Sequence, residues 1–239
     1  PPVLPILYQD EYIVAINKPN GLLVHRTKIA EERHLFANKL LSEQLGQQVH
    51  PVHRIDRATS GVLLFGCNAE AVASFQSLFN EEKIVKEYLA VVRGHTLPEG
   101  KICEPLIRHE TGVSQEAITE YVTLAQTELP IAVNKYPTSR YSLVRMQPLT
   151  GRTHQLRRHF NHLAHPIIGD TKFGDLRHNR MFAEEFGVTT LLLHATRLTF
   201  EHPLTKAGIK ITAPLPPQLL HLSTQMGWNE PLSLFFRID

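Results

Sequence analysis

Asp56 is the residue on which chemistry could turn. In HPVHRIDRATSGVLLFG, His50–Gly66, it stands between Arg54 and Arg57 and just ahead of an unbroken apolar run. Cations on both sides hold a carboxylate ionised, and an ionised carboxylate serves as an ion-pair partner, a general base or a nucleophile. The same letters, DRATSG, also suit a plain turn before a strand, because Asp, Ser and Gly are turn residues. The residues alone leave these readings open.

A second concentration of chemistry lies between Gly151 and Arg180. Arg152, Arg157, Arg158, Lys172, Arg177 and Arg180 share it with His154, His159, His162, His165 and His178, against only Asp170 and Asp175. A local basic surface of that kind suits phosphates. The histidines from His154 to His165 invite a metal reading, but no two are four apart and no carboxylate lies among them. Phosphate contacts or core hydrogen bonds are expected there, and no metal. G-x-S-x-G, G-x-x-x-x-G-K-[ST] and G-x-G-x-x-G are all missing from the sequence, which leaves nucleophile-elbow hydrolysis and nucleotide cofactors without a home.

The elements that must position these groups come from an ordinary globular chain. With 239 residues, 42% hydrophobic and 20% charged, it suffices for one large domain or two small ones with a sizeable core. Two cysteines, Cys67 and Cys103, are too few for a disulfide framework and lack metal-ligand spacing, so both are expected to be buried thiols in a reducing compartment. The net charge is only +2. The isoelectric point, 8.7, falls short of the value of about 9 typical of strongly basic nucleic-acid-binding domains, so the clustering of charge says more than its sum. No stretch approaches the roughly 20 apolar residues of a membrane span, and PPVLPILYQDEYIV is no signal peptide, so a soluble, cytoplasmic protein is expected.

ILYQDEYIVAINKP reads as two short strands around Gln9, Asp10 and Glu11, ended by the turn residues Pro19, Asn20 and Gly21. Helices are expected at roughly Leu35–Leu45 and Ala69–Phe79, the second with Val72, Phe75, Leu78 and Phe79 on one face. GVLLFGC fits a central strand; EYLAVVRG, YSLVRMQP, LLLHATRLTF and IKITAP fit others. Between Thr153 as a cap and Pro166 as a stop, Leu156, Phe160 and Leu163 recur at helical spacing, which sets Arg158, His162 and His165 on the opposite face. The mixture of hairpins and interspersed helices is α+β with a mixed sheet.

These blocks together resemble RluA-type RNA pseudouridine synthases. HRIDRATSGVLLFG is similar to that family's H-R-[LI]-D-x-x-T-S-G signature. NKPNGLLVH precedes it, and KEYLAVVRG, PLTGRTHQLRRHF, HPIIGDTKFG and LLLHATRLTFEHP follow in the family's order, so the likeness covers nearly the whole chain. It implies the pseudouridine synthase fold, a mostly antiparallel mixed sheet flanked by helices with a central active-site cleft. Residues 1–239 would form a single catalytic domain without a separate N-terminal S4-like RNA-binding domain.

By the same resemblance Asp56 is the nucleophile, Tyr88 stacks on the target base and Arg157 is the cation that pairs with Asp56. Without it, Tyr88 and Leu156 read as core. With it, Leu156 packs against the base and Arg54 fills the space a flipped base leaves in its stack. Arg152, His154 and Arg158 are then expected on RNA phosphates. Isomerising uridine to its C-glycoside involves no net redox change, so no cofactor is implied. YPTSRYSLV, HQLRRH and GDLRHNR are similar to the branch of the family that modifies tRNA, which implies tRNA as partner, uridine 65 as target and no obligate protein partner. A ribosomal RNA substrate and a non-catalytic RNA-binding module are the alternatives.

Overall fold

The computed structural model describes residues 3–24 and 36–237. In chain order the elements are β1 (Ile6–Gln9), β2 (Ile13–Lys18), α1 (Ala37–Leu45), β3 (His50–Pro51), β4 (Ser60–Gly66), α2 (Ala69–Asn80) and β5 (Val85–Arg93). Then come β6 (Glu99–Ile102), β7 (Leu106–Ile107), β8 (Ser114–Gln115), β9 (Thr119–Leu129), β10 (Ser139–Pro148), α3 (Gln155–His162) and α4 (Leu176–Phe186). The last are β11 (Leu193–Glu201), β12 (Gly208–Thr212), α5 (Pro217–Gln225) and α6 (Asn229–Arg237). The fold is α+β with mostly antiparallel strands, and the chain divides into two compact units.

The first unit comprises Pro1–Lys86 and His194–Pro214. Its strands run β1-β2-β4-β11-β12, antiparallel except for the β4–β11 pair, and β3 joins the far end of β4. Every residue of β4 is buried, which explains its unbroken apolar run. The two-residue period sorts its side chains: Val62 and Leu64 pack with Ile13, Ala15, Phe75 of α2 and Phe200, whereas Leu63 and Phe65 pack with Val14, Ile16 and Leu40 and Leu41 of α1. Gly61 is needed where β4 meets β11. Its φ is +118°, and a Cβ there would lie 2.1 Å from the Ala195 carbonyl oxygen.

The second unit comprises Glu87–Leu193 and Leu215–Asp239. Its sheet runs β5-β10-β9-β6, all antiparallel, beside a separate β7–β8 hairpin. On one face Leu89, Val91, Tyr141 and Leu143 form a core with Phe182 of α4, Leu222 of α5, Phe235 of α6 and Trp228. Alternation sends Tyr88, Ala90 and Val92 to the other face. There α3 packs, with the Phe160 ring 5.4 Å from that of Tyr121.

The expected early hairpin, the central strand, the four other strands and the two early helices are all present. The first helix begins at Ala37; Leu35 lies outside the described residues, as does His25 at the end of the NKPNGLLVH block. Thr153 does not cap α3. His154 holds that position in the left-handed region, at φ 53°, with no side-chain cap. Cys103 is exposed and Cys67 half-buried, so the expectation of two buried thiols fails: Cys103 follows an edge strand whose Ile102 alone turns inward. Among the described residues no helix is long and apolar enough to cross a membrane.

Candidate active site

Asp56 sits in a turn closed by the Thr59 N–H, which donates to the Asp56 carbonyl at 2.9 Å. Asp56 is half-buried, Arg54 and Arg57 are exposed, and Ile55 and Thr59 point inward. The NKPNG block locks this turn. Gly21 N–H donates to the Arg57 carbonyl at 2.7 Å, Arg57 Nε returns a bond to the Gly21 carbonyl at 2.9 Å, and Asn20 Nδ2 donates to the Ala58 carbonyl at 2.7 Å.

Lys18, beside the Asp56 turn, was missed by the sequence reading. It closes β2 with its side chain fully buried, and its ammonium donates to the carbonyls of Pro19 (2.9 Å), Leu22 (2.9 Å) and Arg57 (3.0 Å). Three N–H bonds meet three acceptors, which suits a cation. Burial nonetheless pulls its pKa down to about 7, against the attraction of the Asp56 carboxylate. A buried cation next to the expected nucleophile thus shares its loop and its field.

His53, in the same motif, does a structural job. Its Nε2 accepts from the Leu64 N–H at 3.0 Å and its ring stacks on Phe79 at 4.2 Å. Accepting at Nε2 requires the unprotonated nitrogen, and burial takes the pKa down to about 3, so the ring stays neutral.

The remaining expected site residues belong to the second unit. Tyr88 is half-buried on β5, and its register partner on β10 is Met146, itself opposite Tyr121 on β9. Because Phe160 of α3 packs on Tyr121, Tyr88 lies on the sheet face that α3 covers. Arg157 and Leu156, both on α3, are buried at 7% and 6% exposure. Arg157 gives Nε to Asp170 Oδ2 at 2.9 Å and Nη2 to Oδ1 at 2.8 Å, a two-point ion pair, and its guanidinium lies 5.4 Å from the Phe173 ring. Asp170 also accepts the N–H groups of Lys172 and Phe173, each at 3.0 Å. Burial alone would raise the Asp170 carboxyl; Arg157 and these N–H groups overcome it and hold the pKa below the usual carboxylate value.

Arg152 and Arg158 are engaged within the protein. Arg152 Nε donates to the Glu116 carbonyl at 2.8 Å. Arg158 donates to the Thr153 carbonyl twice, at 3.0 and 2.5 Å, and to the Ile107 carbonyl at 2.9 Å. Between them they tie both sides of the β7–β8 hairpin to α3 and the loop before it. Gln155 organises the loop before α3: its Oε1 accepts from Thr150 Oγ1 (2.6 Å) and Arg152 N–H (3.1 Å), and its Nε2 donates to the Ile118 carbonyl and to Thr119 Oγ1 (both 3.0 Å). Thr119 in turn meets His159 Nδ1 at 2.7 Å, while His159 Nε2 donates to the Glu104 carbonyl at 2.8 Å. A carbonyl can only accept, so Nε2 carries the hydrogen, and burial lowers the pKa of this fully buried ring. Among the described residues no three His, Cys, Asp or Glu side chains gather as a metal site.

Comparison with known proteins identifies the class as RNA pseudouridine synthase. The sequence profile of the family described as RNA pseudouridylate synthase matches residues 12–162. This chain belongs to that family and is an isomerase. It is 47% identical over 236 residues to the tRNA pseudouridine synthase C of Pasteurella multocida (strain Pm70), covering 95% of this chain and 97% of that one. To the protein of the same name from Vibrio parahaemolyticus it is 44% identical over 243 residues, covering 97% and 98%. Among solved structures, human RNA Pseudouridylate Synthase Domain Containing 1 superposes with a TM-score of 0.71 at 26% identity, covering 91% of this chain and 86% of that one. Human RNA Pseudouridylate Synthase Domain Containing 4 gives 0.72 at 25%, covering 93% of each.

Proposed function

We propose that this chain converts a uridine of tRNA to pseudouridine, at position 65 where the T-stem meets the acceptor stem, working in the cytoplasm as one catalytic domain. The observation that carries this reading is similarity along nearly the full length, at 47% and 44% identity, to two proteins named tRNA pseudouridine synthase C.

In this reading Asp56 is the nucleophile or base. The N1–C1′ glycosidic bond breaks, the uracil turns while it is held by Tyr88 and Leu156, C5 joins C1′, and the C5 proton is lost while N1 gains one, giving an isomer of the same composition. Attack at C1′, attack at C6 and removal of the 2′ proton all fit a carboxylate in this role. Arg157 holds the charge of the nucleophile, and Arg54 takes the place of the flipped base. Turning one nucleotide out costs a few kcal/mol, least where pairing is weak, so RNA shape and local pairing set the target more than base-edge contacts.

The test is pseudouridine mapping in total RNA from cells with and without the protein, together with purified chain on an unmodified tRNA transcript in the presence of a chelator. A site in tRNA lost only without the protein supports the reading. A site lost from ribosomal RNA instead would move the substrate, and binding without any isomerisation would leave an RNA-binding module.

A further inference from the structure

The Phe173 ring gathers three nitrogen-bearing side chains. Arg157 lies 5.4 Å from its centroid, the Lys172 ammonium 5.3 Å, and the His154 ring 5.4 Å. The three do not contribute alike. Arg157 is matched by the Asp170 carboxylate, whose oxygens also take two backbone N–H groups. Lys172 is exposed. Asp175, the other acid of this segment, is engaged with Arg93 at 2.7 Å and Arg177 at 3.6 Å. The positive charge left over around the ring is therefore that of Lys172, beside an imidazole.

The backbone of each residue is constrained. The backbone of Lys172 is fixed by its N–H bond to Asp170, and an ammonium over an aromatic face is attracted by the ring quadrupole. His154 occupies a left-handed conformation that a residue with a side chain rarely adopts, and it does so at the N-cap of the helix that carries Arg157. Arg152 and Arg158, two further cations of this segment, spend donors on backbone carbonyls.

We propose that Lys172 and His154, set against the Phe173 ring, form a subsite for a phosphodiester of the RNA substrate next to Arg157. The ligand is a backbone phosphate, bound without regard to base. Ordering a lysine on binding costs free energy, and a lysine already held over a ring pays less of it. This inference rests on the RNA substrate of the proposed function and adds Lys172, to which the resemblance gives no role, to the phosphate contact expected of His154.

The experiment measures affinity of the full chain for an unmodified tRNA transcript over a series of KCl concentrations. Lys172→Ala is expected to reduce the slope of log affinity against log salt by roughly 0.7 to 0.9, the value for one lost phosphate contact, and Lys172→Arg to restore it. Lys135 supplies the control, because its ammonium also lies over an exposed tyrosine, Tyr136, at 5.4 Å. Lys135→Ala should leave the slope at the wild-type value. An unchanged slope in Lys172→Ala overturns the subsite, and an equal drop in Lys135→Ala overturns it too, since the effect would then be one of net charge. A wild-type chain that binds the transcript without isomerising it would sink the proposed function while the slope comparison still decides the subsite.

Discussion

The Lys18 ammonium donates to the Arg57 carbonyl at 3.0 Å, joining the end of β2 to the turn that carries Asp56. Its pKa of about 7 in the folded chain lies below the ordinary lysine value of 10.5. Between those two values the unfolded chain holds a proton that the folded chain has released, so this group makes stability rise with pH across that window. The full shift corresponds to an upper bound of about 5 kcal/mol. In urea titrations from pH 7 to 10, the midpoint of the wild type should therefore climb relative to that of Lys18→Met. Parallel curves would show that the three carbonyls keep the ammonium charged throughout.

Asp56→Asn and Asp56→Ala should abolish isomerisation while the fold and most RNA affinity survive. The Asp56 side chain is half-buried, and the bond from Thr59 that closes its turn uses the Asp56 carbonyl, which both variants retain. Phosphate contacts are expected from other residues. Turnover, circular dichroism and filter binding on the same preparations separate the effects. Turnover by purified Asp56→Ala near that of the wild type would end the catalytic role.

Tyr88→Phe should lose turnover by more than it loses affinity. The ring remains on the face of β5 that α3 covers and can still stack, but no hydroxyl is left to move a proton. Single-turnover rates compared with binding constants give the split. A phenylalanine variant as fast as the wild type would make Tyr88 a stacking platform alone.

Where apolar pattern and turn letters coincide, sequence and structure agree. Ile13–Lys18 and Ser60–Gly66 are buried runs bounded by turn residues, and both emerge as strands. β9 escaped because TEYVTLAQTEL is half-buried along most of its length and shows neither an unbroken apolar run nor clean alternation. α4 escaped because its first turns read Arg177, His178, Asn179 and Arg180, with only Met181 and Phe182 fully inward. The motif letters gave Asp56 a role, but nothing local marks Lys18 as buried. A lysine before proline in a turn has the appearance of a solvated one, and its three acceptors are spread over 39 positions of chain. Nor does anything local mark the reach of Arg158 to the Ile107 carbonyl, 51 residues distant.

Arg158→Ala should therefore loosen the protein as well as weaken any hold on RNA. The change removes bonds to the Thr153 and Ile107 carbonyls, and a charge-assisted hydrogen bond contributes about 1.5 to 3 kcal/mol. Amides of the β7–β8 hairpin should exchange hydrogen faster, and the thermal midpoint should fall. A variant with wild-type exchange in residues 104–117 but a reduced salt slope would make Arg158 a phosphate contact first.

Asp170→Asn tests how far Arg157 depends on its partner. The amide still offers Oδ1 to Arg157 Nη2 and to the N–H groups of Lys172 and Phe173, but where Oδ2 faced Arg157 Nε at 2.9 Å it sets a donor against a donor. A buried guanidinium that loses its counter-charge costs roughly 3 to 5 kcal/mol, so the variant should be less stable at neutral pH. The folded Asp170 pKa is lowered, so the stability this group contributes is complete above the unfolded value of 3.8 and disappears as pH falls through the folded one. The gap between wild type and Asp170→Asn should accordingly be wide at pH 6 and narrow in acid. Arg157→Lys, which cannot make the two-point contact, should lose turnover by itself and lose little more when combined with Asp170→Asn, because the two side chains act as one unit. Fully additive losses in stability and turnover would show that Asp170 holds its loop and has no hold on Arg157.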